Sequence, residues 1–161
     1  MIMMKSNRIL QIFTIGLILV LFANSSLFAQ ELEYKNGLYY KKDMLYSGTH
    51  IEYYDNGNMK VERNIVNGLD DGVGTAYFES GKKQEQRSYK EGKKDGQWIN
   101  WDEKGNKVAE AFYKEDKKHG DWYIWNAEGV LLYEMHYHEG AKVGHWKIYN
   151  DAGELVSERK F

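Results

Sequence analysis

The sequence predicts an all-β fold: an elongated, single-layer antiparallel sheet of stacked β-hairpins built from five 24-residue repeats. Glycines recur in register every 24 residues, and tryptophans and tyrosines follow the same period. A fixed period of roughly 20–50 residues is typical of a repeat array. The pattern lacks the 3.6-residue apolar period of a helix, and glycines this frequent would each cost a helix about 1 kcal/mol.

Two glycine columns divide the chain into units. The first column contains Gly48, Gly72, Gly96, Gly120 and Gly144, and the second follows nine residues later. We predict repeats at 48–71, 72–95, 96–119, 120–143 and 144–161, with a degenerate N-terminal cap at 30–47. A lone hairpin is only marginally stable in water, so we expect the units to stack and share their aromatic side chains.

Each unit contains two glycine-bearing turns. In the first unit, Asn56-Gly57 favours a two-residue type I′ turn, in which both central residues have positive φ. The equivalent turns of the later units favour a type I turn closed by a glycine bulge. A second, wider turn, such as residues 91–96, is expected to lead into the next unit.

The aromatic columns are the binding candidates. The predicted partner-binding residues are Trp98, Trp101, Trp122, Trp125, Trp146 and Tyr149. Tryptophan and tyrosine dominate the binding energy of protein interfaces. The alternative is that these rings only pack on their neighbours in the stack. Because Trp98 and Trp101 are three residues apart, either both faces carry aromatic side chains or a bulge turns one of them.

Polar columns give no evidence for an enzyme. His136 and His138 share a strand face and could bind zinc with His119 or a carboxylate. Because the pair is not repeated in other units, we predict a solvated face and no metal site. The chain has no cysteine, and no serine lies in a nucleophile elbow, so we predict no catalytic residue and no cofactor.

A column of acidic or amide residues has a predicted structural role. Its members are Glu62, Gln86, Glu110, Glu134 and Glu158. We expect them to pair with Lys or Arg on neighbouring strands, such as Arg63, Arg87 and Arg159, or to cap turn amides. Opposite charges across strands contribute roughly 0.2–1 kcal/mol each.

Residues 1–29 have the layout of a secretory signal peptide. A basic start (1–8) precedes a 15-residue apolar stretch and a short polar segment. The apolar stretch is shorter than the ~20 residues of a membrane span. We predict cleavage after Ala29, with cleavage after Ala23 or an uncleaved anchor as the alternatives. Export without cysteine fits a bacterial periplasmic or secreted protein.

The charge excludes some partners. The formal net charge is −2, and it becomes −4 when cleavage of the predicted signal peptide removes Lys5 and Arg8. Such a chain has no basic footprint for nucleic acid, and overall it is not drawn to anionic membranes.

The repeated unit is Gly-x-Trp-x-x-Tyr/Trp-x-x-x-Gly followed by Glu-x-x-Tyr-x-x-Gly, and it is clearest at 120–140. This unit resembles the bacterial variant MORN repeat. His50 and Gly74 depart from the tryptophan position, so we expect looser stacking there. The resemblance extends to proteins of the YwqK antitoxin or immunity type, which implies a protein that binds and neutralises a toxin. The resemblance to eukaryotic MORN proteins, which are associated with membranes, implies membrane contact instead.

Two functional hypotheses therefore stand. The first is a non-enzymatic exported scaffold that binds a protein partner, such as a toxin. The second is a structural or adhesive envelope protein that contacts glycan, peptidoglycan or membrane. Self-association is a further expectation, because the last strand, 154–161, offers an edge for another strand.

Overall fold

The computed structural model describes residues 32–161, and the predicted signal peptide lies outside them. Within this range the chain forms strands and turns and no helix. The strands are β1 (Glu33–Lys35), β2 (Leu38–Lys41), β3 (Met44–Leu45), β4 (Gly48–Tyr53), β5 (Met59–Val66), β6 (Leu69–Asp70), β7 (Gly72–Tyr77), β8 (Lys83–Lys90), β9 (Lys93–Trp101), β10 (Lys107–Lys114), β11 (Lys117–Lys118), β12 (Gly120–Trp125), β13 (Leu131–His138), β14 (Ala141–Tyr149) and β15 (Leu155–Lys160). None of the described residues belongs to a helix long and apolar enough to cross a membrane.

The main sheet follows the order of the chain. Its strands pair antiparallel as β4-β5-β7-β8-β9-β10-β12-β13-β14-β15. The short β6 pairs with β5, which also pairs with β7. In the same way, the short β11 pairs with β10, which also pairs with β12. Strands β1–β3 form a separate three-stranded sheet. The predicted all-β fold of stacked antiparallel hairpins is confirmed.

The sheet has almost no enclosed core. Only Ile65, Ile99 and Tyr137 are buried among the described hydrophobic residues, with exposed fractions of 2%, 8% and 8%. A single layer packs its side chains along each face instead of between two layers. Stability must therefore come from rows of side chains that run across the strands on both faces.

Alternation along the strands separates two faces. The tryptophan face carries Trp98, Trp122 and Trp146, and the glutamate face carries Glu110 and Glu134. Within each unit the register shifts near the end of the hairpin. The extra residue of each shift lies on the returning strand, so the first strand alternates regularly, with Trp98 on the tryptophan face and Trp101 on the glutamate face. Trp125 and Tyr149 are placed like Trp101, so both faces carry aromatic side chains.

The turn inside each unit is a type I turn with a glycine bulge. In the first unit, Gly57 N donates to Tyr54 O at 2.9 Å, and Tyr54 N donates to Asn58 O at 2.9 Å. Gly57 has a φ of 86°, whereas Asn56 does not have positive φ. The same bond pattern recurs in the later units, where it was predicted. The type I′ turn predicted at Asn56-Gly57 was wrong.

Type I′ turns instead connect the units. Residues 91–96 do not form the predicted wider turn, because Lys90 pairs directly with Lys93 and leaves two residues, Glu91 and Gly92, with φ of 50° and 77°. The equivalent turns are Asn67-Gly68, Glu115-Asp116 and Glu139-Gly140. Each turn is bound to the unit before it, as Gly92 N donates to Asp70 O at 2.8 Å.

The first of these turns also joins the two sheets. Gly68 N donates to Tyr46 O at 2.7 Å, and Gly68 O accepts from Tyr39 N at 2.9 Å. Gly68 is itself buried. The β1–β3 sheet, which lies in the segment predicted to be a cap, is therefore attached by backbone hydrogen bonds to the start of the main sheet.

Candidate functional site

A continuous zigzag of rings runs along the tryptophan face, and we call it the aromatic ladder. Its members are Tyr89, Trp98, Tyr113, Trp122, Tyr137, Trp146 and Phe161. Successive ring centroids lie 4.9–5.5 Å apart in tilted or edge-on contact. Such pairs contribute roughly 0.5–1.5 kcal/mol each beyond the burial of their area.

The strand register explains the ladder. Tyr113 lies opposite Gly96, and Tyr137 lies opposite Gly120, so each tyrosine has space beside it for a tryptophan of the adjacent row. The indole nitrogen is also satisfied. Trp122 Nε1 donates to Phe112 O at 3.0 Å, and Trp98 and Trp146 make the equivalent bond at the same distance. The rings are thus held in place by the backbone as well as by each other.

A row of lysines covers the ladder. Lys94, Lys118 and Lys142 each place Nζ over two successive rings, 4.2–5.1 Å from their centroids. Arg87 and Arg159 stack on Trp98 and Phe161 at 4.6 and 4.9 Å. Cation–π contacts at exposed sites contribute roughly 0.5–1 kcal/mol each.

An exposed apolar row lies beside the C-terminal half of the ladder. Ile124 pairs with Tyr133, and Tyr133 pairs with Ile148, so three adjacent strands present these side chains in line. Their exposed fractions are 38%, 38% and 41%. Sequence reasoning missed this row. The signal was present, because Ile124 and Ile148 each stand two residues after a ladder tryptophan and therefore share its face.

The two faces differ in charge over β10–β15. On the tryptophan face of these strands the ionisable side chains other than tyrosine are Lys118, Lys142 and Arg159, and none is acidic. The carboxylates Glu110 and Glu134 lie on the glutamate face. Although the net charge of the protein is negative, the tryptophan face of β10–β15 is therefore basic and aromatic.

The glutamate face is a network of paired charges. Glu134 accepts hydrogen bonds from Lys147 Nζ and Tyr149 Oη, both at 3.1 Å. Burial opposes its charge, but these two hydrogen bonds and the nearby charge of Lys147 together lower the pKa of Glu134. His136 Nδ1 lies 2.7 Å from Asp121 Oδ1, and His145 Nδ1 lies 2.8 Å from Glu158 Oε1.

The glutamates do not use the arginines that were predicted as their partners. Arg63 contacts Asp70 and Tyr39, Arg87 contacts Glu85, and Arg159 stacks on a ring. This prediction was wrong because Arg63, Arg87 and Arg159 each follow a member of the acidic or amide column directly, and adjacent strand residues point to opposite faces. The predicted lysine pairing is present at Glu134.

The histidines suspected of binding zinc have other contacts. His136 lies beside Asp121, and the His138 ring lies 5.1 Å from that of His119. Within residues 32–161, no three histidine, aspartate or glutamate side chains are grouped so that they could hold a metal ion.

The six predicted partner-binding residues are divided between the two faces. Trp98, Trp122 and Trp146 are half-buried in the ladder, while Trp101, Trp125 and Tyr149 lie on the glutamate face. On that face Lys83 Nζ lies 5.9 Å from the Trp101 ring centroid, and Lys107 Nζ lies 5.8 Å from that of Trp125. The two groups therefore cannot contact one flat partner together.

The family model described as "MORN repeat variant" matches residues 46–67, 70–91, 94–115 and 118–139. The chain belongs to this family. The four matched MORN repeats each begin about two residues before the predicted units, and the β14–β15 hairpin follows the last of them. A MORN repeat scaffold of this all-β kind is typically non-catalytic. No curated protein sequence matches the chain significantly.

Proposed function

We propose that this MORN repeat protein is a non-enzymatic, exported scaffold that binds a protein partner through the tryptophan face of β10–β15. The observation that carries the proposal is the exposed row Ile124, Tyr133 and Ile148 beside the ladder. Exposed apolar patches with a polar rim are typical of interaction sites. Here Lys118 and Lys142 supply the rim.

The charge of this face selects the partner. Its cations have no carboxylate beside them on the same face of β10–β15, so an acidic protein surface would complement them. The strand pairing of β12, β13 and β14 holds the apolar row in line before binding, which lowers the ordering cost of association.

An immunity or antitoxin role is the finer form of this proposal. It is supported by the resemblance to YwqK-type proteins together with the signal-peptide pattern at 1–29. In this form the partner is a toxin that meets the protein in the bacterial envelope.

The test is a native pull-down from envelope and medium fractions, with the full-length chain as bait. A triple variant, Ile124→Ser with Tyr133→Ser and Ile148→Ser, should lose a partner that the wild type retains. The matched control is Val66→Ser with Val73→Ser, because these valines are 48% and 45% exposed on the glutamate face. Equal loss in both variants, or retention in both, would contradict the proposed face.

A second candidate is contact with an anionic surface in the envelope. Lys118, Lys142 and Arg159 share one face with aromatic rings, as lipid- or glycan-contacting surfaces often do. Co-sedimentation with phosphatidylglycerol vesicles or peptidoglycan tests this candidate. Binding should fall in a Lys118→Gln, Lys142→Gln variant and should be absent with phosphatidylcholine vesicles.

Self-association through β15 remains a proposal. Among residues 32–161 the outer edge of this strand pairs with no other strand, and all of its residues are exposed. A dimeric mass in sedimentation at high protein concentration would support edge pairing, and a monomeric mass would exclude it.

A further inference from the structure

The tryptophan face carries a notch beyond Tyr89, where a ring at position 74 would extend the ladder. Gly74 occupies the position that Trp98, Trp122 and Trp146 occupy in later units. It lies opposite Arg87 on one side and beside Arg63 on the other. The notch measures about 100 Å³, and its walls include Arg63, Arg87, Tyr89, Asp70 and Glu85.

The later units show what fills this space. There an indole ring occupies it and donates to a carbonyl oxygen ten residues earlier. Phe112 O accepts both His119 N at 2.9 Å and Trp122 Nε1 at 3.0 Å. At the notch, Asn64 O accepts Asp71 N at 2.9 Å, and no indole of the described residues reaches it. Asn64 O is therefore the repeat equivalent of the carbonyl oxygens that accept an indole N–H in the other units.

Two guanidinium groups flank the space. Arg63 Nε is buried and has no hydrogen-bond partner among the described residues. The face of an aromatic ring can accept such an N–H group. Arg87 already stacks on the next ring along, with its Cζ 4.6 Å from the Trp98 centroid. A ring inserted at the notch would lie between Arg63 and Arg87.

Steric constraints do not explain the glycine. Gly74 does not have positive φ, and a Cβ added to it would meet Glu62 O at 3.4 Å and Arg63 Cβ at 3.7 Å, which are ordinary contacts. The backbone would accept a larger residue at this position. The ring is missing at Gly74 for a reason other than backbone geometry.

We propose that the notch at Gly74 binds a planar aromatic group with an N–H donor, namely the indole of a tryptophan supplied by the protein partner. The proposal rests on the proposed protein-binding function. The partner's ring completes the ladder beside Tyr89, its N–H donates to Asn64 O, and the arginines lie against its face.

The experiment is an NMR titration of the full-length chain with N-acetyl-L-tryptophan amide as the probe. Saturable shifts are expected at the Gly74 amide and at Arg63 Nε–H. N-acetyl-L-leucine amide, which has no ring, should bind at least tenfold more weakly. A Gly74→Trp variant, in which the chain supplies its own ring, should lose probe binding and have a higher Tm than the wild type.

Each outcome separates this inference from the proposed function. No shift at the notch, or equal affinity in the wild type and Gly74→Trp, overturns the notch site. If Gly74→Trp does not fold, Gly74→Leu fills the same space and should also lose the probe. Suppose that Gly74→Trp no longer binds the probe but still retains the protein partner fully. The proposal that the partner inserts a tryptophan at the notch is then overturned, and the protein-binding function stands. If the probe binds but the pull-down recovers no partner, the protein-binding function fails, and the notch is a site for a free indole compound instead of a partner's side chain.

Discussion

Replacement of Trp122 by alanine tests whether the aromatic ladder holds the sheet together. Trp122 lies in the middle of the ladder, 5.1 Å from the Tyr113 ring and 5.2 Å from the Tyr137 ring. Its Nε1 donates to Phe112 O, and Lys118 lies 4.4 Å from its centroid. The substitution removes all four contacts at once.

The expected cost follows from these contacts. Two aromatic pairs contribute roughly 0.5–1.5 kcal/mol each, the hydrogen bond about 1 kcal/mol, and the cation–π contact about 0.5–1 kcal/mol. Because Trp122 is only half-buried, we expect a loss of about 3 kcal/mol in the free energy of unfolding, at the lower end of the range for tryptophan truncation. Trp122→Phe keeps one ring and should cost about 1–1.5 kcal/mol.

The assay is urea unfolding of the full-length chain, followed by circular dichroism. Trp125→Ala is the matched control, because Trp125 lies on the glutamate face with its nearest ring, Tyr123, at 5.7 Å and a cation at 5.8 Å. It should cost about 1–1.5 kcal/mol. Equal losses for Trp122→Ala and Trp125→Ala would refute the argument that ring contacts within the ladder dominate stability.

Three further predictions concern pairing, turns and the junction of the sheets. The pKa of Glu134 lies below its ordinary value of 4.5, so its stabilising charge is present above about pH 4.5 and is lost as the pH falls through the folded pKa. Glu134→Gln should flatten this part of the dependence of Tm on pH, and an unchanged acid slope would contradict the pairing. Asp116 has a φ of 66°, so Asp116→Val should cost about 2 kcal/mol in urea unfolding and Asp116→Asn less than about 0.5 kcal/mol; similar costs would disprove the type I′ turn. A Cβ at Gly68 would lie 3.1 Å from Tyr39 O, whereas one at Gly57 would meet nothing within 4 Å. Gly68→Ala, unlike Gly57→Ala, should therefore speed hydrogen exchange in the β1–β3 sheet, and equal exchange would argue against this junction.

The repeat period and the hairpins could be predicted because they are local and recur. The spacing of glycines and aromatic residues defines each strand, and antiparallel pairing of neighbours follows from short turns. The two faces also follow from alternation, and the same alternation shows why Arg63 cannot pair with Glu62 in the acidic column. Sequence reasoning reached the ladder tryptophans but did not extend the alternation to Ile124 and Ile148.

The turn at Asn56-Gly57 and the turns between units could not be predicted because distant contacts select their types. Asn-Gly is the favoured pair for a type I′ turn, yet Asn56-Gly57 forms a bulged type I turn, and the Asn56 side chain donates to Glu79 O of the next unit at 2.9 Å. Conversely, Glu91 adopts positive φ although glutamate rarely does so. Its N–H is held by Asp71 Oδ2 at 2.9 Å, 20 residues earlier in the chain.

The near absence of an enclosed core has a mechanical consequence. Because each hairpin contacts only its neighbours, tension along the long axis of the sheet should open one 24-residue unit at a time. An extended chain gains up to about 3.6 Å per residue, so each rupture would release a length several times larger than the two strand spacings it removes. Under load, the protein would lengthen in nearly equal steps and would absorb work at each step. Intact hairpins would remain beside opened ones.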